Sequence, residues 1–339
     1  MDTSELTQRQ RNWRCVGIIL AFCVFGAARH AASQTLVLPP QDVDVVGAMG
    51  TVRAAGEDTL LDIARRHGLG YEEIVRANPG VDPWLPGAGT EIILPTQYVL
   101  PPVARKGIVV NLPEMRLYYF PKPKPGEAPV VQTYPVSIGR MEWSTPKGLT
   151  QVASKVRDPV WYPPKSIRQE AVQDGRVLPQ QVPAGPDNPL GKFALRLGLP
   201  GYLIHGTNKP YGVGMQVTHG CVRMYPEDIE VLFKAVPVGT PVRFINQPYK
   251  IGWMADILFL EVHTPLEKDE HTATHNLPSV VELLAKVAHQ RGIDLQWEKS
   301  WQAAEQARGF PVSVSSHMRG AVTETDDEGF ETRKAFSLF

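Results

Sequence analysis

The sequence predicts a mainly β protein with a small βααβ module near its start and a partly helical C-terminal extension. Thirty-one prolines and twenty-nine glycines are more punctuation than a helical protein tolerates, which favours short strands and ordered loops. Apolar runs of strand length recur between residues 106 and 246. Helical spacing is confined to residues 58–77, to one stretch after Pro226 and to parts of the last ninety residues.

Arg9, Arg11 and Arg14 precede an apolar run from Cys15 to Ala28, and Ala31-Ala32-Ser33 offers small residues for cleavage. That run is short of the roughly 20 residues that cross a bilayer core. Residues 1–33 therefore read as a removable export signal, and no stable membrane insertion is expected. The remaining 306 residues hold 31 Lys plus Arg against 33 Asp plus Glu, without the basic stripe of a nucleic-acid-binding protein.

In the module, residues 51–97, Val52 opens a strand and Gly56-Glu57-Asp58-Thr59 leads into a helix from Leu60. Asp58 or Thr59 caps it, Leu60, Ile63 and Ala64 share its apolar face, and Gly68 closes it in a left-handed conformation. A second helix, Tyr71 to Ala77, stops before Asn78-Pro79-Gly80, and Thr90 to Pro95 returns as a strand. Residues 98–105 read as a proline-containing connector.

From residue 106 to 246 the pattern is β. Ile108–Leu112 and Arg116–Phe120 flank Pro113-Glu114-Met115 as a hairpin, and Val130 to Ile138 is a further strand ending at Gly139. Extended pieces follow near 150–155, 192–197, 202–205 and 241–244. Between them, Pro159 to Pro189 is a long ordered excursion of the kind that walls a binding site. Pro226 suits the first turn of a helix whose Ile229, Leu232, Phe233 and Val236 pack on the sheet. In the extension, 250–339, helices are expected at 277–291 and 297–308, with a loosely ordered end around the acidic run 324–328.

Without the export signal the chain keeps one cysteine, Cys221, in Thr218-His219-Gly220-Cys221-Val222-Arg223, sixteen residues after His205. An unpaired thiol in an oxidising compartment is a liability unless it does chemistry, which points to a covalent thiol enzyme. A thiol needs an imidazole to accept its proton. His219 is a close sequence neighbour, but a tight turn at Cys221 would aim it away. His205 ends a separate strand, where the backbone at Gly206 can fix one ring nitrogen while the other meets the sulfur; His205 is the favoured base and His219 a support. Gly220 permits close approach of a substrate and can leave the amides of 220 and 221 facing an oxyanion. Arg223 either binds a substrate carboxylate or bonds across the loop. Tyr202, Thr207 and Asn208 flank the pocket. Glu261, His263, His271 and His275 match no common metal spacing, so no metal and no cofactor is expected.

Two resemblances join these readings. Gly56-Glu57-Asp58-Thr59-Leu60, Ile63-Ala64, Ile74, Asn78-Pro79 and Ile92 to Pro95 make the module similar to the LysM domain, which implies binding of N-acetylglucosamine-containing glycan; a spacer of the same shape is the alternative. His205-Gly206-Thr207 with Thr218 to Arg223, Ile138-Gly139, Ser144-Thr145-Pro146-Lys147-Gly148 and Asn188-Pro189-Leu190-Gly191 resemble the L,D-transpeptidase (YkuD) family over about residues 104–246. The resemblance implies a β-sandwich, Cys221 as nucleophile and His205 as proton carrier, with Gly206, Thr207, Thr218, His219, Gly220, Arg223 and Tyr202 around the pocket. It implies a periplasmic enzyme that takes the peptidoglycan tetrapeptide stem as a thioester, releases D-Ala and passes the stem to an amine. That amine is a second stem, in a 3→3 cross-link, or a lysine of an outer-membrane lipoprotein. Trimming of stems by hydrolysis and non-catalytic wall binding are the competing readings.

Overall fold

The computed structural model describes residues 34–140, 145–266 and 276–316. The export segment, Ser144, His271, His275 and the acidic run 324–328 lie outside the described residues.

Two strands that the sequence pattern did not reveal, β1 (Gln34–Val37) and β2 (Val45–Gly47), open the described chain. The module follows with β3 (Gly50–Arg53), α1 (Leu60–Arg66), α2 (Tyr71–Ala77) and β4 (Glu91–Leu94), which pairs antiparallel with β3. Thr59 is the cap of α1: its hydroxyl accepts the Asp62 amide at 3.1 Å while the Asp62 carboxylate accepts the Thr59 amide at 3.1 Å. Gly68 ends this turn at φ +64°, as expected. Leu60, Ile63, Ala64, Leu69, Ile74 and Ile92 form the module's core. Asn78 staples it: its amide donates to the Ile74 and Ile93 carbonyls, and its oxygen accepts the Ile93 amide at 2.7 Å.

The expected connector at 98–105 begins instead as β5 (Gln97–Val99), paired with β2, because Tyr98 and Val99 have apolar surface to bury. Then come β6 (Gly107–Asn111), β7 (Arg116–Phe120), β8 (Val130–Pro135), the short β9 (Ile138–Gly139) and β10 (Gly148–Arg157). The excursion holds a helix that composition hid, α3 (Lys165–Gln173). After it run β11 (Phe193–Leu197), β12 (Leu203–His205), β13 (Gln216–Thr218), β14 (Val222–Arg223), α4 (Pro226–Ala235) and β15 (Pro241–Ile245).

Nine strands make one sheet in the order β1-β8-β7-β6-β15-β10-β11-β12-β14, and β9 pairs with β13 separately. Strand alternation sends Ile108, Val110, Leu117, Leu195, Ile204 and Val222 into one core. Ile229 and Leu232 of α4 close that core, so the helix braces the strands before and after it. The fold is mainly β, as the sequence predicts.

The extension is more β than its sequence suggests. Strands β16 (Tyr249–Met254) and β17 (Ile257–Val262) form a hairpin, followed by α5 (Asn276–Arg291), α6 (Trp297–Gln306) and β18 (Val312–Ser313), which pairs with β17. Leu258, Leu260, Val280, Leu284, Ala304 and Val314 share its core.

Both flanking units attach to the large sheet through buried charge. Arg116 of β7 meets Glu73 of α2 in a bidentate pair at 2.7 and 2.8 Å, and its remaining donors reach the Gly68 carbonyl and the Thr133 hydroxyl. On the other side, Lys250 of β16 is fully buried, with its ammonium 2.9 Å from Glu114, 2.7 Å from Glu261 and 2.7 Å from the Val99 carbonyl. His263 joins through Glu261 at 2.6 Å. Glu114, Glu261 and His263 are close enough together to hold an ion, but the cation among them is the ammonium of Lys250. No helix among the described residues is long and apolar enough to cross a membrane.

Candidate active site

Two short parallel strands set the site. In the β12–β14 pair Ile204 lies beside Val222 and His205 beside Arg223. Ile204 and Val222 point into the core, so the two-residue period puts Leu203, His205, Cys221 and Arg223 on the other face. All four line a cavity of about 450 Å³. Its remaining wall is largely apolar and includes Trp161, Tyr162, Pro164 and Ile167 of the excursion, together with Tyr202.

The turn before Cys221 is held from several sides. Gly220 sits at φ +96°, a conformation that a side chain would strain. The Thr218 hydroxyl donates to the Cys221 carbonyl at 2.6 Å, and the Thr145 hydroxyl donates to the Gly220 carbonyl at 3.0 Å. Thr145 in turn accepts the Gly139 amide. Ser137 and Arg223 exchange backbone hydrogen bonds at 2.8 and 3.0 Å, which fixes the strand just beyond the thiol.

Cys221 is the only cysteine among the described residues and is unpaired. Its sulfur donates to the Gly201 carbonyl at 3.6 Å. Burial pushes its pKa up, against smaller opposing effects of the Leu203 backbone and Arg223. His205 is buried, and its Nδ1 lies 2.6 Å from the Gly206 carbonyl. A carbonyl only accepts, so Nδ1 carries the proton and Nε2 is left as the acceptor. Burial, helped by Arg223, lowers the imidazole pKa to about 4. Burial thus disfavours the charged form of both groups.

Other residues divide between this cavity and a neighbouring one of about 330 Å³, which shares the wall of Trp161, Ile167, Pro189, His219 and Arg223. Thr207 and Asn208 line the second cavity rather than flanking the cysteine, a correction to the sequence reading. The Thr207 hydroxyl accepts the Lys209 amide, and Asn208 donates to the Asp187 carbonyl, so both serve the loop. Gly206 allows the close packing of Ile229, whose methyl would lie 3.1 Å from an added Cβ. Beyond the backbone bonds to Ser137, the Arg223 side chain makes no hydrogen bond across the loop among the described residues, and its Nε is buried there without a partner. His219 turns to the excursion, with Nε2 2.7 Å from the Glu170 carboxylate of α3 and 3.2 Å from the Arg140 guanidinium. Sequence reasoning missed Arg140 and Glu170, which are 79 and 49 residues from His219 in the chain. No local spacing could have joined them.

The model of the L,D-transpeptidase catalytic domain, YkuD, matches residues 105–244. The probable L,D-transpeptidase ErfK/SrfK of Escherichia coli (strain K12) is 38% identical over 312 residues, covering 90% of this chain and 99% of that protein. The chain belongs to the L,D-transpeptidase family. The probable L,D-transpeptidase YbiS of the same organism is 41% identical over 254 residues, covering 74% of this chain and 81% of its own. The crystal structure of L,D-transpeptidase 3 from Mycobacterium tuberculosis aligns with 46% of this chain and 67% of its own, at 21% identity and a TM-score of 0.30, too low to add weight. Within this L,D-transpeptidase, Pro189, Leu190, His205, Thr218, His219, Cys221 and Arg223 of the signature stretches line the cavity, and Gly139 and Thr145 support its turn.

Proposed function

We propose that this L,D-transpeptidase carries the peptidoglycan tetrapeptide stem on Cys221 and hands it to an amine. The supporting observation is the His205 tautomer: Nδ1–H is committed to the Gly206 carbonyl, so Nε2 is an acceptor on the face that also bears Cys221. As the sulfur attacks the carbonyl of diaminopimelate, Nε2 takes the thiol proton. The tetrahedral intermediate collapses, the carbon–nitrogen bond breaks, and the D-Ala amine leaves with that proton. A thioester remains. An incoming amine attacks it, the carbon–sulfur bond breaks, and His205 returns the amine's surplus proton to the sulfur.

Arg223, a cation two residues beyond the nucleophile, steadies the developing negative charge or a substrate carboxylate at the same cavity. The amides of Gly220 and Cys221 are the proposed oxyanion donors. The assignment extends to the periplasm through the 1–33 export signal and to wall glycan through the LysM-like module 51–97. The acceptor is a second stem's diaminopimelate or a lysine of a lipoprotein.

Intact-mass analysis after exposure to tetrapeptide tests the reading. Wild type gains an acyl adduct, Cys221→Ala gains none, and His205→Ala gains one far more slowly; an adduct on Cys221→Ala would overturn the mechanism. Product analysis with diaminopimelate present separates transfer from hydrolysis: an amide-linked product supports transfer, whereas free tripeptide alone identifies a hydrolase. The acid limb of acylation is expected near pH 4, where His205 becomes protonated, and a limb near the ordinary imidazole value would contradict the buried neutral base.

A further inference from the structure

The excursion is fixed at its base and clasped at its helix. At the base, Trp161 and Val182 exchange backbone hydrogen bonds at 2.9 and 2.8 Å. Buried Asn188 gathers the carbonyls of Pro159, Val182 and Pro183 with one amide nitrogen. The helix itself has weaker means. It is nine residues long, has no side-chain hydrogen bond at its N-cap, and buries only Ala171. A helix that short is marginal without tertiary support.

Its polar attachment is Glu170. One carboxylate oxygen accepts from the Arg140 guanidinium and the other lies 2.7 Å from His219 Nε2. Both partners belong to the support of the cysteine turn. His219 lies within it, and the Arg140 amide donates to the Thr218 carbonyl at 3.0 Å. Hydrogen bonds from Arg140 first and His219 second hold the Glu170 carboxyl below its ordinary value, so the carboxylate stays charged at neutral pH. Meanwhile Pro164 and Ile167, at the start of α3, form part of the wall around Cys221. A displacement of α3 would open that wall to solvent.

We propose that Glu170 is a specificity-determining residue: by clasping α3 to the cysteine turn it shields the thioester from water and leaves it to amines. The inference rests on the acyl-enzyme reading above. In the disfavoured branch, water adds to the thioester carbonyl, the carbon–sulfur bond breaks, one water proton returns to the sulfur through His205, and free tripeptide acid departs. In the favoured branch the amine nitrogen forms the new bond, and the same sulfur is released and protonated. Glu170 touches neither reacting atom and acts by position.

The test uses the full chain with a tetrapeptide ending in diaminopimelate and D-Ala, and free diaminopimelate as acceptor. Three quantities are read in wild type, Glu170→Ala, Glu170→Gln and Glu170→Asp: the acylation rate, the adduct lifetime without acceptor, and the ratio of amide product to free tripeptide. Glu170→Ala is expected to shorten the adduct lifetime and lower the product ratio about fivefold or more, while acylation changes about twofold or less. Glu170→Asp should recover part of the ratio, and Glu170→Gln less of it. An unchanged lifetime and ratio in Glu170→Ala would overturn the clasp alone. A parallel loss of acylation and transfer would also overturn it, marking a merely structural residue. Failure of wild type to form any adduct would overturn the nucleophile assignment and the clasp together.

Discussion

The βααβ module and the 159–189 excursion both press on the segments that carry Cys221, but they are attached by different physics. The module is locked. Gly70 and Gly214 approach so closely that a Cβ on Gly214 would lie 2.4 Å from the Gly70 Cα. The Tyr71 and Glu72 amides donate to the carbonyls of Val213 and Gly214, and the Tyr225 hydroxyl donates to the Leu69 carbonyl. Beneath them lies the dry Arg116–Glu73 pair. The excursion helix instead relies on the partly exposed Glu170. Buried charge pairs fix orientation because neither ion can leave without stranding the other. Partly exposed pairs can open at small cost, since water replaces the lost partner.

Substitutions can break this contrast. The largest effect is expected for Arg116→Leu, which abandons the Glu73 carboxylate in the interior and should cost about 3–5 kcal/mol in urea unfolding. Adding Glu73→Leu should restore much of that loss. A loss that the second substitution does not relieve would mean packing, not charge, holds the module. Gly214→Ala comes next, at about 2 kcal/mol, since its methyl meets backbone and its φ is +85°.

Asp228 of α4 sharpens the comparison through pH. Burial, assisted by Glu227, raises its pKa to about 8. A raised carboxyl favours the fold while protonated, so its full contribution is present below the ordinary value near 3.8 and is lost as pH climbs through about 8. Asp228→Asn stays neutral throughout. Thermal melts should therefore show a gain of about 2–4 °C at pH 8 and little change at pH 4. An equal effect at both values would contradict the buried neutral acid. The smallest effect belongs to Glu170→Gln, whose unfolding midpoint should correspond to a change of about 1 kcal/mol or less. A larger loss would place the excursion in the same class as the module.

Legibility followed the range of the signal. Thr59, Gly68 and Pro226 act within a few residues, and the elements they start or stop were readable from order alone, whereas the reach of Asn78 to Ile93 was not. The approximate positions of the central strands were readable too, because alternation is local. The β16–β17 hairpin was not. Its turn puts Ala255 and Asp256 at positive φ without the usual glycine, and Lys250 interrupts the strand as an apparent surface residue although it is buried. Tyr98 seemed part of a connector because its partner in the paired strand, Val46, lies 52 residues earlier. At the candidate site, the sequence singled out Cys221 and His205, and the structure puts both on the wall of one cavity. The Glu170–His219–Arg140 contact joins three separate segments and left no trace in any one of them. The upward push of burial on the thiol pKa was not legible either, since it depends on how much water the fold removes.

The ammonium of Lys250 has a consequence for where this protein can be cut. The family signature ends at residue 244, before β16 begins. An excised fragment stopping there would keep Glu114 in the β6–β7 turn but lose the cation beside it, while Val99 would lose both a donor and an acceptor. The smallest piece able to stand alone therefore extends past the recognisable domain, and a shortened version intended for crystals or assays should retain β16 and β17.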